Sequence, residues 1–382
     1  MKVRRPFLFV LAALTGVLVL YLLLWPVSIS PQAWTPQTAP SLTGSFQQNS
    51  RLSTVERLSI VEGGTGFGPE DIALDSQKRI YAGIDDGRII RLQADGIRPE
   101  VFANTQGRPL GLVFDSSGNL IVADANRGLL SINRDGLVTV LSTESDGVSF
   151  GWANDLDVAA DGTIYFTDAS KLPFSNLTAD LLEHQPNGRL LAYDPKTKIT
   201  RTILNQLYFP NGVAVSPNQS FLLVVETGRY SVRRVWLNKG PAQAVDTQTK
   251  TSSGLPRYGT SEIFIDNLPG FPDGITSNGR DKFWLALVNP RNRVLDKVLP
   301  YPFLRKVIFR LPRFIQPAPE RSSFVIGLDL NGGVVDNLQD NSDHCYARVA
   351  NVVEHEGSLY LGSIGESAVG RYRLSTQSNT LK

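Results

Sequence analysis

From Pro69 onward the chain alternates short apolar runs with polar turns, and one arrangement keeps returning. Pro69-Glu70-Asp71-Ile72-Ala73-Leu74-Asp75 is followed by Arg79-Ile80-Tyr81-Ala82-Gly83, and Pro109-Leu110-Gly111-Leu112-Val113-Phe114-Asp115 by Asn119-Leu120-Ile121-Val122-Ala123. Further copies begin at Ala153-Asn154-Asp155, Pro210-Asn211-Gly212 and Pro272-Asp273-Gly274. A weaker sixth runs from Arg348-Val349-Ala350 to Ser358-Leu359-Tyr360-Leu361-Gly362. In all six copies the second position stands eleven residues before a hydrophobic residue of the next run: Tyr81, Ile121, Tyr165, Leu222, Trp284 and Tyr360. Self-similarity at fixed internal spacing marks a repeat architecture.

Each copy predicts two short strands joined by a turn such as Ser116-Ser117-Gly118 or Ala160-Asp161-Gly162. Two further strands usually follow, as at residues 188–193 and 199–204. Four antiparallel strands in each of six repeats is an all-β, six-bladed β-propeller. The last copy runs out after its third strand, at residues 369–374, and residues 54–61 precede the first copy without a partner of their own. Pairing these two segments would close the ring and leave no open edge.

The N-terminus follows a different pattern. Residues 7–25 carry no charge, follow Lys2, Arg4 and Arg5, and end on Tyr21 and Trp25, which suit a membrane interface. This predicts an N-terminal transmembrane helix with a cytoplasmic N-terminus and the propeller on the exported side. A cleaved signal peptide is the rival reading. However, the apolar run is long for one, and no small-x-small cleavage site follows closely. The expected organisation is a basic flank and anchor at 1–27, a flexible tether at 28–52, the propeller at 53–376 and a tail at 377–382.

Composition is that of a globular protein, and the formal charge of +2 gives no reason to expect a nucleic-acid partner. That charge hides an asymmetry. Residues 289–321 hold eight basic residues (Arg291, Arg293, Lys297, Arg305, Lys306, Arg310, Arg313, Arg321) against Asp296 and Glu320, so the remainder is net acidic. Apolar residues there recur at helical spacing, which predicts a basic amphipathic insertion in the fifth blade, either a lid or a contact with acidic lipid. The single cysteine, Cys345, excludes an intramolecular disulfide and a cysteine-based zinc site.

In a propeller the first strand of each blade lines the central channel, so the second positions of the copies form a ring: Glu70, Leu110, Asn154, Asn211, Asp273 and Val349. Four of the six are oxygen donors and none is Lys, His or Cys. That inventory suits calcium, with Glu70, Asn154, Asn211 and Asp273 as ligands, rather than zinc. Asn and Asp are also common turn formers, which is the plainer explanation of the same residues.

The phrases GPEDIALD, ANDLDVAADGTIYFTD, FPNGVAVSPN, FPDGI and EHEGSLYLGS resemble the strictosidine synthase-like family, grouped with the senescence marker protein/gluconolactonase and paraoxonase propellers. The resemblance spans roughly residues 55–375. It implies a central Ca2+ and, in several members, hydrolysis of lactones or esters. It also implies metal ligation by Glu70, Asn211 and Asp273, with Asn154 reaching metal or substrate, and Asp273 as general base. Two departures matter. The slot where strictosidine synthase carries its catalytic glutamate has no secure acidic equivalent, the ring residue being Val349. The paraoxonase histidine dyad is unmatched at Ala123-Asp124-Ala125-Asn126.

The expected activity is therefore a membrane-anchored, calcium-dependent hydrolase of a small-molecule lactone or ester, and not a true strictosidine synthase. The alternative is a non-catalytic, ligand- or partner-binding propeller pinned by calcium. Asp273 is the first candidate base and His344, before the sixth blade, the second. Loops leaving the second strands open on the metal face. They offer Asn126, Asp168, Glu226 and Asn289 as substrate contacts, with Ser170 and Glu366 beside them.

Overall fold

A computed structural model describes residues 4–61, 66–237, 259–312 and 320–374. Lys2, Arg313 and the tail at 377–382 lie outside the described residues. The chain divides into two compact units, one formed by 37–175, 186–291 and 320–382, the other by 1–36, 176–185 and 292–319.

The larger unit holds six four-stranded antiparallel sheets, one per repeat. Blade I comprises Ile72–Leu74, Ile80–Gly83, Arg88–Leu92 and Glu100–Asn104. Blade II comprises Pro109–Phe114, Leu120–Asp124, Gly128–Ile132 and Val138–Ser142. Blade III runs Ala153–Val158, Ile164–Asp168, Gly188–Asp194 and Ile199–Leu207. Blade IV runs Pro210–Val215, Phe221–Glu226, Ser231–Trp236 and Ser261–Ile265. Blade V takes Gly270–Ser277, Lys282–Pro290, Ser323–Asp329 and Val334–Asp340. Blade VI takes Val349–His355, Ser358–Ser363 and Ala368–Arg373 from the C-terminal end and Glu56–Ser59 from the N-terminal end, in the register Leu58↔Val369. The expected exchange between the two ends is therefore present.

In blades I and II the turn between first and second strands follows one chemistry. Asp75 Oδ1 accepts the N–H groups of Gln77 and Arg79 at 2.9 Å each, and Asp115 Oδ1 accepts those of Ser117 and Asn119. Gly118 completes its turn at φ +81°, a conformation that side chains disfavour. Apolar residues of facing sheets then interlock. Leu52 and Val55 pack with Trp284, Val325, Val352 and Leu361.

The segment expected to be a flexible tether is instead laid down. Asn49 donates to the Asn337 carbonyl and accepts the Gln339 N–H, while Asn337 donates to the Gln47 carbonyl at 2.8 Å. These bonds run along the outermost strand of blade V, where the Asn49 side chain takes up two backbone groups of the open edge and the Gln47 carbonyl receives the Asn337 side chain.

The smaller unit contains the apolar helix Arg4–Leu24, the short helix Leu177–Glu183 and, in the basic insertion, Arg293–Val298 and Pro302–Phe309. Asn292 caps the third of these, its side chain accepting the N–H groups of Val294 and Leu295. Chain after the apolar helix is pinned within this unit. Ile29 is buried, Gln32 N–H donates to the Glu183 carbonyl at 2.8 Å, and Trp34 stacks on His184 with ring centroids 4.2 Å apart.

Candidate functional site

A β-bulge sets the ring. In blades II to VI the pairing of first and second strands slips at the repeat phrase, between Pro109 and Gly111, Ala153 and Leu156, Pro210 and Val213, Pro272 and Ile275, and Val349 and Val352. A bulge re-aims side chains next to it, and here it falls on the ring positions of blades II to V and directly after Val349 in blade VI. Leu110, Asn154, Asn211, Asp273 and Val349 are all buried, and the Glu70 side chain is 15% exposed.

The two ring carboxyls sense each other. Burial pushes Asp273 well above the ordinary carboxylate range, and repulsion from Glu70 adds to the rise. Arg348 and a hydrogen bond from Asn211 oppose it. Glu70 is raised chiefly by burial, against the pull of Arg108, which donates to its Oε2 at 3.0 Å. Arg108 also donates to the Gly68 carbonyl. Arg348 precedes the apolar slot of blade VI, and its Nε is buried without a hydrogen-bond partner among the described residues.

The donor set fits an oxygen-seeking divalent cation. Asp273, Asn154 and Asn211 are buried, Asn211 hydrogen-bonds to Asp273, and a cation would relieve the repulsion between Asp273 and Glu70. Among the described residues no three His, Cys, Asp or Glu side chains converge, so Asn154 and Asn211 would have to ligate together with Glu70 and Asp273.

One residue along from the ring position in blades I to V, and two along from Val349 in blade VI, lies a second belt that sequence reasoning missed: Asp71, Gly111, Asp155, Gly212, Gly274 and Asn351. Asp71 accepts its own blade's Ile72 N–H at 2.7 Å and the next blade's Leu112 N–H at 2.6 Å. Asp155 does the same with Leu156 at 2.8 Å and Val213 at 2.9 Å, and Asn351 donates to Asp71 at 2.5 Å. The glycines leave room: a Cβ on Gly111 would lie 2.8 Å from Asp155 Cα, and one on Gly274 would lie 2.5 Å from Asn351 Cγ. The available signal in blades I to V was the residue type directly after the ring position, either Gly or a side chain able to accept a backbone N–H.

Burial raises Asp71 to about 7 and Asp157 to about 6, and lifts Asp155 well above its ordinary range, with Asp71 adding repulsion. Beyond this belt, at the channel end away from the ring, a cavity of about 260 Å³ is lined by Asp71, Asp155, Asp157, Thr276, Asn351 and His355.

The remaining candidates separate. Asp168 and Glu226 are not free to meet a substrate. Asp168 accepts the Gly151 and Trp152 N–H groups and pairs with Arg189 at 2.6 Å, and Glu226 accepts the Tyr208 N–H and pairs with Arg233 at 2.9 Å. Each acid ends a second strand and latches the segment that leads into the first strand of its own blade. Asp124 does the same for Arg108 N–H. Asn126 is exposed, and Asn289 is half-buried with an Oδ1 that has no hydrogen-bond partner among the described residues. The structure does not bring His344 to the ring. It is exposed, and its carbonyl is held by Arg57 from the outermost strand of blade VI.

Comparison with known proteins agrees with this architecture. The sequence profile described as "Strictosidine synthase" matches residues 154–240, and that of "Strictosidine synthase-like, N-terminal" matches residues 44–92. Protein STRICTOSIDINE SYNTHASE-LIKE 4 of Arabidopsis thaliana is 34% identical over 80% of this chain and 79% of its own length. The adipocyte plasma membrane-associated protein of Bos taurus is 33% identical over 97% and 91%. Among solved structures, a gluconolactonase of Xanthomonas campestris superposes with TM-score 0.58 at 17% identity, over 91% of this chain and 99% of that one. The calcium-binding protein regucalcin of Agrobacterium tumefaciens gives 0.56 at 14%, over 83% and 93%. At those identities the structural likeness shows the fold alone. The two curated relatives carry the assignment, and the chain belongs to the strictosidine synthase-like family.

Proposed function

We propose that this protein is a membrane-anchored hydrolase of lactones or esters that works at the Glu70–Asn154–Asn211–Asp273 ring with calcium bound there. The observation that carries the reading is the buried Glu70–Asp273 pair. Holding two repelling carboxyls at one point of a closed channel costs stability unless a cation accompanies them. Calcium so held supplies a Lewis acid toward a carbonyl oxygen. Asp273 takes the proton of the attacking water in this reading, being the ring carboxyl that is not already hydrogen-bonded to Arg108. Asn211 orients that carboxyl through its hydrogen bond. Asn289 offers an Oδ1 that has no hydrogen-bond partner among the described residues.

Anchoring rests on Phe7–Leu24, a segment of mean hydropathy 2.8 inside a helix long enough to span a bilayer, and on a relative named for association with the plasma membrane. A calcium-pinned, non-catalytic propeller is the second reading. It is favoured by Arg108, which already occupies one oxygen of Glu70.

Purified full-length protein, offered lactones and aryl esters with and without chelator, tests both. Turnover that chelator abolishes and Asp273→Asn removes is expected. Calcium binding without turnover of any ester would leave the second reading, and absence of calcium binding would sink both.

A further inference from the structure

The apolar helix does not end in isolation. Arg310, at the end of the insertion helix Pro302–Phe309, donates through Nη1 to the Leu22 carbonyl at 2.8 Å and through Nε to the Trp25 carbonyl at 2.7 Å. Tyr21 Oη donates back to the Arg310 carbonyl at 3.4 Å. The last carbonyls of a helix lack intrahelical partners and carry partial negative charge, so a guanidinium there is favourable both as donor and as charge. Arg305, fully buried, donates to the carbonyls of Leu182, Glu183 and Gln32, which fixes the chain that follows the apolar helix to the same insertion. Two of the basic residues that the sequence suggested for lipid are therefore internal braces.

What the insertion exposes is of another kind. Val294, Tyr301, Phe303 and Leu304 are exposed, between 44% and 57%, and Arg293 and Lys297 stand exposed one helical turn apart beside them. Apolar and aromatic groups beside basic ones suit the boundary between headgroups and acyl chains. The brace from Arg310 ties this surface to the point where the apolar helix ends, at Leu22–Trp25.

We infer that the insertion is a membrane seat: Tyr301, Phe303 and Leu304 enter the interfacial layer of an anionic bilayer around the exit of the spanning helix, and Arg310 locks seat to helix. The inference rests on the reading of Phe7–Leu24 as a membrane span.

The test uses the full-length chain in nanodiscs of phosphatidylcholine and phosphatidylglycerol. An environment-sensitive fluorophore is placed on Phe303→Cys, the native Cys345 being buried, and lipids brominated at different depths act as quenchers. Quenching should be strongest for bromines near the headgroup, since such faces insert by about 5–10 Å. A probe on Val10→Cys should respond to deep bromines. Arg310→Gln should lower quenching at position 303 while leaving that at position 10 unchanged. A chain lost from the disc in alkaline wash overturns the span itself. A retained chain whose position 303 is unquenched at every depth overturns the seat, and quenching indifferent to Arg310→Gln overturns the lock.

Discussion

Arg348 shows how much a single side chain can decide at this ring. It follows no ring rule visible in the repeat, adopts φ +57°, and adds positive charge that both Glu70 and Asp273 feel. A cation held beside the two carboxyls opposes a second one. Arg348→Gln is therefore expected to tighten calcium binding by at least about tenfold, while Arg348→Lys leaves it nearly unchanged. Isothermal titration showing equal or weaker binding in the Gln variant would remove Arg348 from this role. Asp71 gives a second test. Burial holds its pKa near about 7, so the folded chain keeps a proton that the unfolded chain releases at lower pH. Its ionisation therefore costs stability as pH rises from the ordinary carboxylate range through about 7, and that cost is absent at acid pH. A protonated-carboxyl infrared band present at acid pH and lost with a midpoint near about 7 should vanish in Asp71→Asn. No such band in the wild type would refute the raised pKa. The first strands of the blades were legible because the repeat phrase recurs at fixed spacing. The occupation of Asp168 and Glu226 was not, since the arginines that bind them are set by cross-strand register rather than by any local motif.

The blades were legible as elements wherever a polar turn separated two apolar runs, and least legible where the segment was polar throughout. Residues 47–50 are such a segment. Uncharged amides serve water and a sheet edge equally well, so composition alone could not reveal that Gln47 and Asn49 are bonded to blade V. The belt below the ring joins elements more tightly than the turns do. Gly274→Ala would push a methyl against Asn351 and is expected to cost about 1–3 kcal/mol. Asp155→Ala leaves the Leu156 and Val213 N–H groups without acceptors, at about 1–3 kcal/mol for each buried donor. Urea unfolding measures both. Variants as stable as the wild type would mean that adjacent blades adjust freely, and that the belt does not bind them.

For the whole molecule, the first question is whether the N-terminal helix remains. An anchor predicts that mature protein keeps residues near Met1 and resists alkaline extraction, and mass spectrometry finding a mature N-terminus between residues 26 and 50 would exclude it. The sixth blade bears on how such a protein is made. Leu58 lies on one of its strands and Val369, its partner, on another, about 310 residues later. At roughly 5–20 residues per second of synthesis, the earlier strand waits on the order of 15–60 s for the later one. Throughout that wait the apolar helix is already out of the ribosome and the ring cannot shut. Until then a nascent chain is an open arc with one bare strand at its start. Chaperone cover of that strand, and the timing of the final few dozen residues, would govern how much of the product matures.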